Sequence, residues 1–430
     1  MNNRAILYIF LFFIITLEIC TQSASSQVYE RPDTCKTIET SKLHGYSIEE
    51  HTVMTGDNYA LTLHRIVNPA VSKKMLGRPY VLLHGLLGTS GGWVTNINPS
   101  FKAHYQNTSE MFYNTMPKLA IKKLSDEKAM MAIVNNVTVS GEKISSSLAF
   151  SLANHGYDVW LANLRGNEYS WKNPQSPSFA EYWKFDVDDV AKYDLTGIFE
   201  YVKNKTEIST MGVVSYSVSS LTLMRMLKLF PLYALSLRPI ILMAPTVFSG
   251  ERDSVQKKAL KMFDKYLAER DGPFPEMENG IAKSFFSKLK LFISSNPVMS
   301  PQSKLFVQDF SCGRTSRAFM KHLLNNMITS QQEINKFIDV PSEIRPRLRR
   351  GEVMHKTIMI VHSAKDGIST NEEVSQLRGA LKEMVLTNYR IDGRFDHNDF
   401  LFDPRNHQLV NIPIVRMAIA FDFMTKILDE

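Results

Sequence analysis

Short runs of apolar, β-favouring residues alternate along this chain with longer stretches of helical periodicity. That alternation restricts the fold to an α/β class, a mostly parallel central sheet flanked by helices. Strands are predicted at Ala60–Ile66, Tyr80–His84, Asp158–Leu164, Met211–Tyr216, Pro239–Met243, Thr357–His362 and Met384–Ile391. Parallel strands covered on both faces must be nearly continuous apolar runs, and Tyr80-Val81-Leu82-Leu83 and Ile358-Met359-Ile360-Val361 satisfy this. Between Asp186 and Val202 the residues Val187, Val190, Ile198 and Val202 recur at helical spacing, and a second helix is predicted over Ser217–Leu229, straight out of a strand.

Two stretches break the rhythm. One, about 99–146, is an insertion between the strand ending at His84 and a helix containing Leu148 and Leu152. The other, 248–354, is rich in Lys, Phe and Met and separates two consecutive sheet strands, so it is expected to form a helical cap. The expected division is a leader at 1–26, a first part of the core at 27–247, the cap at 248–354 and a second part of the core at 355–430. Phe263, Phe285, Phe286, Phe292 and Met299 of the cap are candidates to line an apolar channel or to pack its interior.

Chemistry concentrates at strand ends. The run Met211-Gly212-Val213-Val214-Ser215-Tyr216-Ser217-Val218-Ser219 is strand, tight turn, helix, and it puts Ser217 at the elbow where a G-x-S-x-G motif holds a nucleophile. Both motif glycines are serine here, Ser215 and Ser219, and the turn is expected to accommodate them at a strain of roughly 1–3 kcal/mol. His84-Gly85-Leu86-Leu87 closes another apolar strand as an oxyanion loop does, with Leu86 and Val218 as the candidate backbone N–H donors. Asp366, in the turn after a late strand, is the candidate acid, and His397, in the loop after the last strand, the candidate base. Each position alone is also what an ordinary turn would carry. Together they fall in the order Ser, Asp, His at the expected strand ends.

On these residues the chain resembles the acid lipase family of α/β-hydrolases, which includes the gastric and lysosomal acid lipases. The resemblance is carried by Gly45-Tyr46 with Glu49-Glu50, by Thr55, Asp57 and Tyr59, which are similar to the family's amino-terminal strand pair, and by the run Gly156-Tyr157-Asp158-Val159-Trp160-Leu161-Ala162-Asn163-Leu164-Arg165-Gly166-Asn167. Tyr182-Trp183 with Phe185, Ala191 to Leu195, Ala244-Pro245 and His397 with Asp399-Phe400 extend it. It covers roughly 43–98, 146–248 and 356–402 and leaves out insertion and cap. The resemblance implies hydrolysis of neutral lipid esters, triacylglycerols or sterol esters, at a micelle or membrane surface through an acyl-enzyme on Ser217, with no metal or organic cofactor. Tyr216 and Val218 stand where the family has His and Gln beside the nucleophile, and the insertion is not a family feature. A fold that keeps lipid binding but has lost catalysis is the alternative those departures motivate.

The first residues suit export. Arg4 precedes an apolar stretch from Ala5 to Leu17 that is too short to span a bilayer, and Ser23-Ala24-Ser25-Ser26 follows, as in a signal peptide cut before Gln27 or after Ala24. A secreted or lysosomal protein is therefore expected, without a stable transmembrane segment. Sequons at Asn107, Asn136 and Asn204 agree with glycosylation on that route. Cys35 and Cys312 remain after the leader, as a pair or as two free thiols. The formal charge of +7 is only mildly basic, and no nucleic-acid motif accompanies the run Arg345, Arg347, Arg349 and Arg350, so a nucleic-acid partner is not expected.

Overall fold

The computed structural model describes residues 36–94, 101–105, 134, 137, 145–247, 272–274, 313–328, 357–381 and 384–429. The expectations for the leader, most of the insertion, most of the cap, the two cysteines and the sequons at Asn107 and Asn136 lie outside the described residues. Eight strands build one sheet: β1 (Ser47–Met54), β2 (Ala60–Val67), β3 (Pro79–Leu83), β4 (Asp158–Asn163), β5 (Met211–Tyr216), β6 (Leu237–Met243), β9 (Ile358–Ser363) and β10 (Val385–Ile391). Their order is β1-β2-β4-β3-β5-β6-β9-β10. The first two pairings, β1 with β2 and β2 with β4, are antiparallel, and all the rest are parallel. A two-stranded ribbon, β7 (Pro273–Phe274) with β8 (Thr315–Ser316), lies apart from it.

Alternation along the central strands feeds two separate cores. Val81 and Leu83 of β3, Met211 and Val213 of β5, and Ile358 and Ile360 of β9 pack on one face. Tyr80 and Leu82, Val214 and Tyr216, and Met359 and Val361 pack on the other. Because both faces are covered, β3, β4, β5 and β9 are buried along their whole length, which is why they read as apolar runs. Helices α1 (Leu148–Asn154) and α6 (Ile412–Asp429) cover the second face. Helices α2 (Leu195–Thr206), α3 (Ser219–Leu229), α4 (Arg317–Ile328) and α5 (Asn371–Ala380) contribute to the first. Among the described residues no helix is long and apolar enough to cross a membrane.

Two details depart from the periodicity. The helical pattern from Asp186 is interrupted by a wider π-turn at Val190–Asp194 before α2 begins. That turn directs Asp194 inward, fully buried, against Arg165. Likewise the chain after β5 becomes helical at Ser219 rather than Ser217.

Candidate active site

Parallel register brings the chemistry to one edge. Leu83 of β3 lies opposite Ser215 of β5, and Tyr216 lies opposite Met243 of β6. The loops leaving the carboxyl ends of these strands therefore meet where such sheets bind ligands.

Ser217 takes the sharpest turn, at φ +59°. A left-handed backbone costs a residue with a side chain on the order of 1–3 kcal/mol and persists only where its surroundings impose it. Here the Ser217 N–H donates to the Met243 carbonyl at 3.0 Å, and its own carbonyl accepts from the N–H groups of Ser220 at 3.0 Å and Thr246 at 3.2 Å. Ser217 Oγ stands 2.8 Å from His397 Nε2, and His397 Nδ1 stands 2.8 Å from Asp366 Oδ2. The other Asp366 oxygen accepts the Ile368 and Ser369 N–H groups, both at 2.8 Å, which hold the carboxylate in the orientation that faces His397. All three side chains are buried. The structure thus brings together the three residues that the sequence separates by 180 and 31 positions.

Burial, the largest influence on His397, works to lower its pKa, but the Asp366 carboxylate, through charge and hydrogen bond, and Asp396 and Glu373 together outweigh it, so the pKa is raised. With Asp366 facing Nδ1, the neutral ring carries its proton there, which leaves the Nε2 lone pair toward Ser217. Asp396 itself is pushed up to about 6, first by burial and then by the neighbouring Asp366.

His84 orders the loop after β3. Burial pushes its pKa down to about 4, so the ring is neutral. Its Nε2 accepts from the Leu164 N–H at 3.1 Å and from Asn167 Nδ2 at 3.2 Å, leaving Nδ1 to donate to the Gly85 carbonyl at 2.8 Å. Gly85 is required by space: a Cβ there would stand 2.9 Å from the Tyr216 ring and 3.1 Å from Ser217 Cβ. Among the described residues, neither the Leu86 N–H nor the Val218 N–H has an acceptor.

Both elbow serines use their hydroxyls. Ser215 Oγ lies 3.0 Å from Ser220 Oγ, and Ser219 Oγ donates to the His84 carbonyl in a short contact. The hydroxymethyl groups are therefore part of the turn's hydrogen bonding. Sequence reasoning noted these serines only as departures and passed over Asp396 and Thr246, whose hydroxyl lies 3.4 Å from Ser217 Oγ.

Behind the loop, Arg165 is buried with its Nε 2.7 Å from Asp194 Oδ1, its two terminal nitrogens 2.8 and 2.9 Å from Asp57, and its guanidinium 3.8 Å over the Tyr59 ring. Asp186, Asp188 and His322 are the one group among the described residues with ligand atoms within 4.8 Å of one another. Arg225 engages Asp188 at 2.5 and 2.9 Å, and Asp186 accepts the N–H groups of Asp188 and Asp189, so these carboxylates already have partners. Of the sequons, Asn204 is exposed on α2.

A sheet of this order, with an elbow serine after β5, an acid after β9 and a histidine after β10, defines an α/β-hydrolase. Residues 37–97 match the family model described as the partial alpha/beta-hydrolase lipase region. Gastric triacylglycerol lipase of Rattus norvegicus is 30% identical over 206 residues, 45% of this chain and 40% of its own. The lysosomal acid lipase/cholesteryl ester hydrolase of the same organism is 33% identical over 173 residues, 39% of this chain and 32% of its own. The chain therefore matches less than half the length of these relatives. Among solved structures, naproxen esterase from Bacillus subtilis aligns over 91% of this chain and 100% of its own at 13% identity and a TM-score of 0.44. In these stretches the chain is similar to the acid lipases among the α/β-hydrolases.

Proposed function

We propose that the protein is a serine hydrolase that cleaves carboxylic esters of neutral lipids, of the triacylglycerol or sterol ester type, through an acyl-enzyme on Ser217. The observation that carries this reading is the continuous hydrogen-bonded line from Ser217 Oγ through His397 to Asp366, 2.8 Å at each step. His397 Nε2 takes the Ser217 proton as Oγ bonds to the ester carbonyl carbon, and Asp366 stabilises the imidazolium that forms. The Leu86 and Val218 N–H groups donate to the oxyanion. Collapse breaks the ester C–O bond, and the leaving alcohol receives the proton from His397. Water then attacks the acyl-enzyme with His397 again as base, which frees the carboxylic acid and restores Ser217. These steps call for no metal or organic cofactor.

The lipid substrate class is supported by the family and by the relatives' names, which specify triacylglycerol and cholesteryl ester. Such a substrate is met at a micelle or membrane surface, and the leader supports a secreted or lysosomal location. We further assign residues 248–354 as the cap that sets ester preference, with Asn107, Asn136 and Asn204 as glycosylation sites.

A fluorophosphonate probe tests the reading. The folded protein should be labelled at Ser217, Ser217→Ala should take no label, and long-chain p-nitrophenyl esters should turn over in detergent. A folded protein that stays unlabelled would overturn the catalytic assignment, and a strong preference for acetate over oleate would overturn the lipid one.

A further inference from the structure

We propose that Tyr216 is a positioning residue for the base, holding the main chain and the ring of His397 at hydrogen-bonding distance from Ser217. The proposal rests on the ester-hydrolase reading above. Tyr216 ends β5, directly before the nucleophile, and its hydroxyl donates to the main-chain carbonyl of His397 at 2.9 Å. The phenol ring lies along the imidazole, with centroids 5.2 Å apart and planes 29° from parallel. On another side the same ring borders Gly85 so closely that a Cβ there would stand 2.9–3.0 Å from two of its carbons, and Trp93 meets it edge-on at 6.3 Å.

Besides its ring, His397 is held at its main-chain N–H, which donates to the Asp396 carboxylate, and at its carbonyl. A buried main-chain carbonyl needs a donor, and here the donor belongs to the residue adjoining the nucleophile. The separation of nucleophile and base is thereby set across one peptide unit instead of across the whole domain. Tyr216 is also a wedge of fixed thickness between the base and the oxyanion loop, so neither can shift toward the other. Burial, with Asp366, Asp396 and Asp399 adding to it, pushes the phenol pKa far up, which keeps the hydroxyl protonated and donating. The charged groups facing His397 are Asp366, Asp396 and Glu373, and none of them contacts its carbonyl in place of Tyr216.

Two variants separate the parts. Tyr216→Phe keeps the ring and removes the donor, whereas Tyr216→Leu removes both. A misplacement well under 1 Å at reacting atoms costs rate more than binding, so kcat should fall roughly 10-fold in Tyr216→Phe and roughly 100-fold in Tyr216→Leu, with KM changed by less than about two-fold. The His397 titration, followed by NMR on carbon-labelled histidine, should move to lower pH in both variants as the imidazolium loses its fixed place against Asp366. This readout does not depend on turnover. If wild type turns over ester while both variants keep its kcat and its His397 midpoint, Tyr216 is mere packing and the proposal falls alone. If wild type is folded but inert while the midpoint still moves, positioning stands and the hydrolase reading fails. A wild type that is inert and variants whose midpoint is unchanged would remove both.

Discussion

The hydroxyl of Ser219 donates to the main-chain carbonyl of His84, so the first turn of α3 and the loop after β3 are tied together beside the nucleophile. A glycine at this position, as the elbow motif would have it, leaves that carbonyl buried with one donor fewer. Ser219→Gly should therefore lower kcat about 3- to 10-fold through a looser oxyanion loop and cost about 1 kcal/mol of stability. Steady-state kinetics and urea unfolding would check it, and a faster, equally stable variant would show that the serine is only tolerated.

The raised pKa of His397 fixes the direction of the pH profile. Catalysis needs the neutral ring, so kcat/KM should climb with pH through a midpoint above the ordinary 6.5. The Asp396 charge helps retain that proton, and Asp396→Asn should move the midpoint to lower pH.

Asp396 also affects stability. Its pKa of about 6 exceeds the usual 3.8, so the folded form binds the extra proton, and stability should decline as pH rises through that window. Asp396→Asn should match wild type near about pH 4 and exceed it in Tm at about pH 7 to 8. His397, whose folded pKa is also raised, in part by Asp396, contributes stability below its unfolded pKa that is lost as pH rises through the folded value, and this contribution is smaller in Asp396→Asn. Thermal melts across that range give the comparison, and parallel curves would exclude a titrating Asp396.

Gly85→Ala tests the spacing of the loop. The new methyl would press on the Tyr216 ring and on Ser217, and displacing either group should lower kcat on the order of 10- to 100-fold while the protein still folds. Probe labelling at an undiminished rate would mean that the neighbours yield without consequence.

Arg165→Met removes the cation between Asp194 and Asp57. Asp194 would stay fully buried with its charge uncompensated, which costs about 3–5 kcal/mol. Leu164, the preceding residue, donates its N–H to His84, so loss of activity should accompany the fall in urea midpoint. A midpoint within about 1 kcal/mol of wild type would count against a structural role for the cluster.

The seven strands legible in the sequence are those whose burial leaves a pattern. β1 was recognisable through family resemblance only, because its run Ser-Ile-Glu-Glu-His-Thr-Val-Met is an edge strand with one buried residue, Val53. Ser217, Asp366 and His397 were legible because a parallel sheet brings strand ends to one edge. The bond from Ser219 to His84 was not, since a side chain reaching a main-chain carbonyl 135 residues away imposes no residue type at the far end. Tyr216 was visible as an unusual neighbour of the nucleophile, yet its reach to His397 depends on the placement of a loop, which carries no periodicity. The π-turn that points Asp194 at Arg165 was hidden for a related reason, as it shifts the helical phase by a single residue.

Gly313 lies so close to Leu87 that a Cβ would overlap the Leu87 carbonyl, and the chain then runs past Gly166, where the Arg314 carbonyl leaves only 2.6 Å for a Cβ, before Ser316 bonds to the Phe185 carbonyl. Phe319 and Leu323 of α4 continue into the same apolar cluster as the sheet. An exchange of segments between relatives, cut at 248 and 354 as the sequence suggests, would thus carry away part of the wall behind the loop after β3. A transplant that retains residues 313–328 from the recipient would leave that wall intact, which puts the practical seam for building chimaeras inside the apparent cap rather than at its borders.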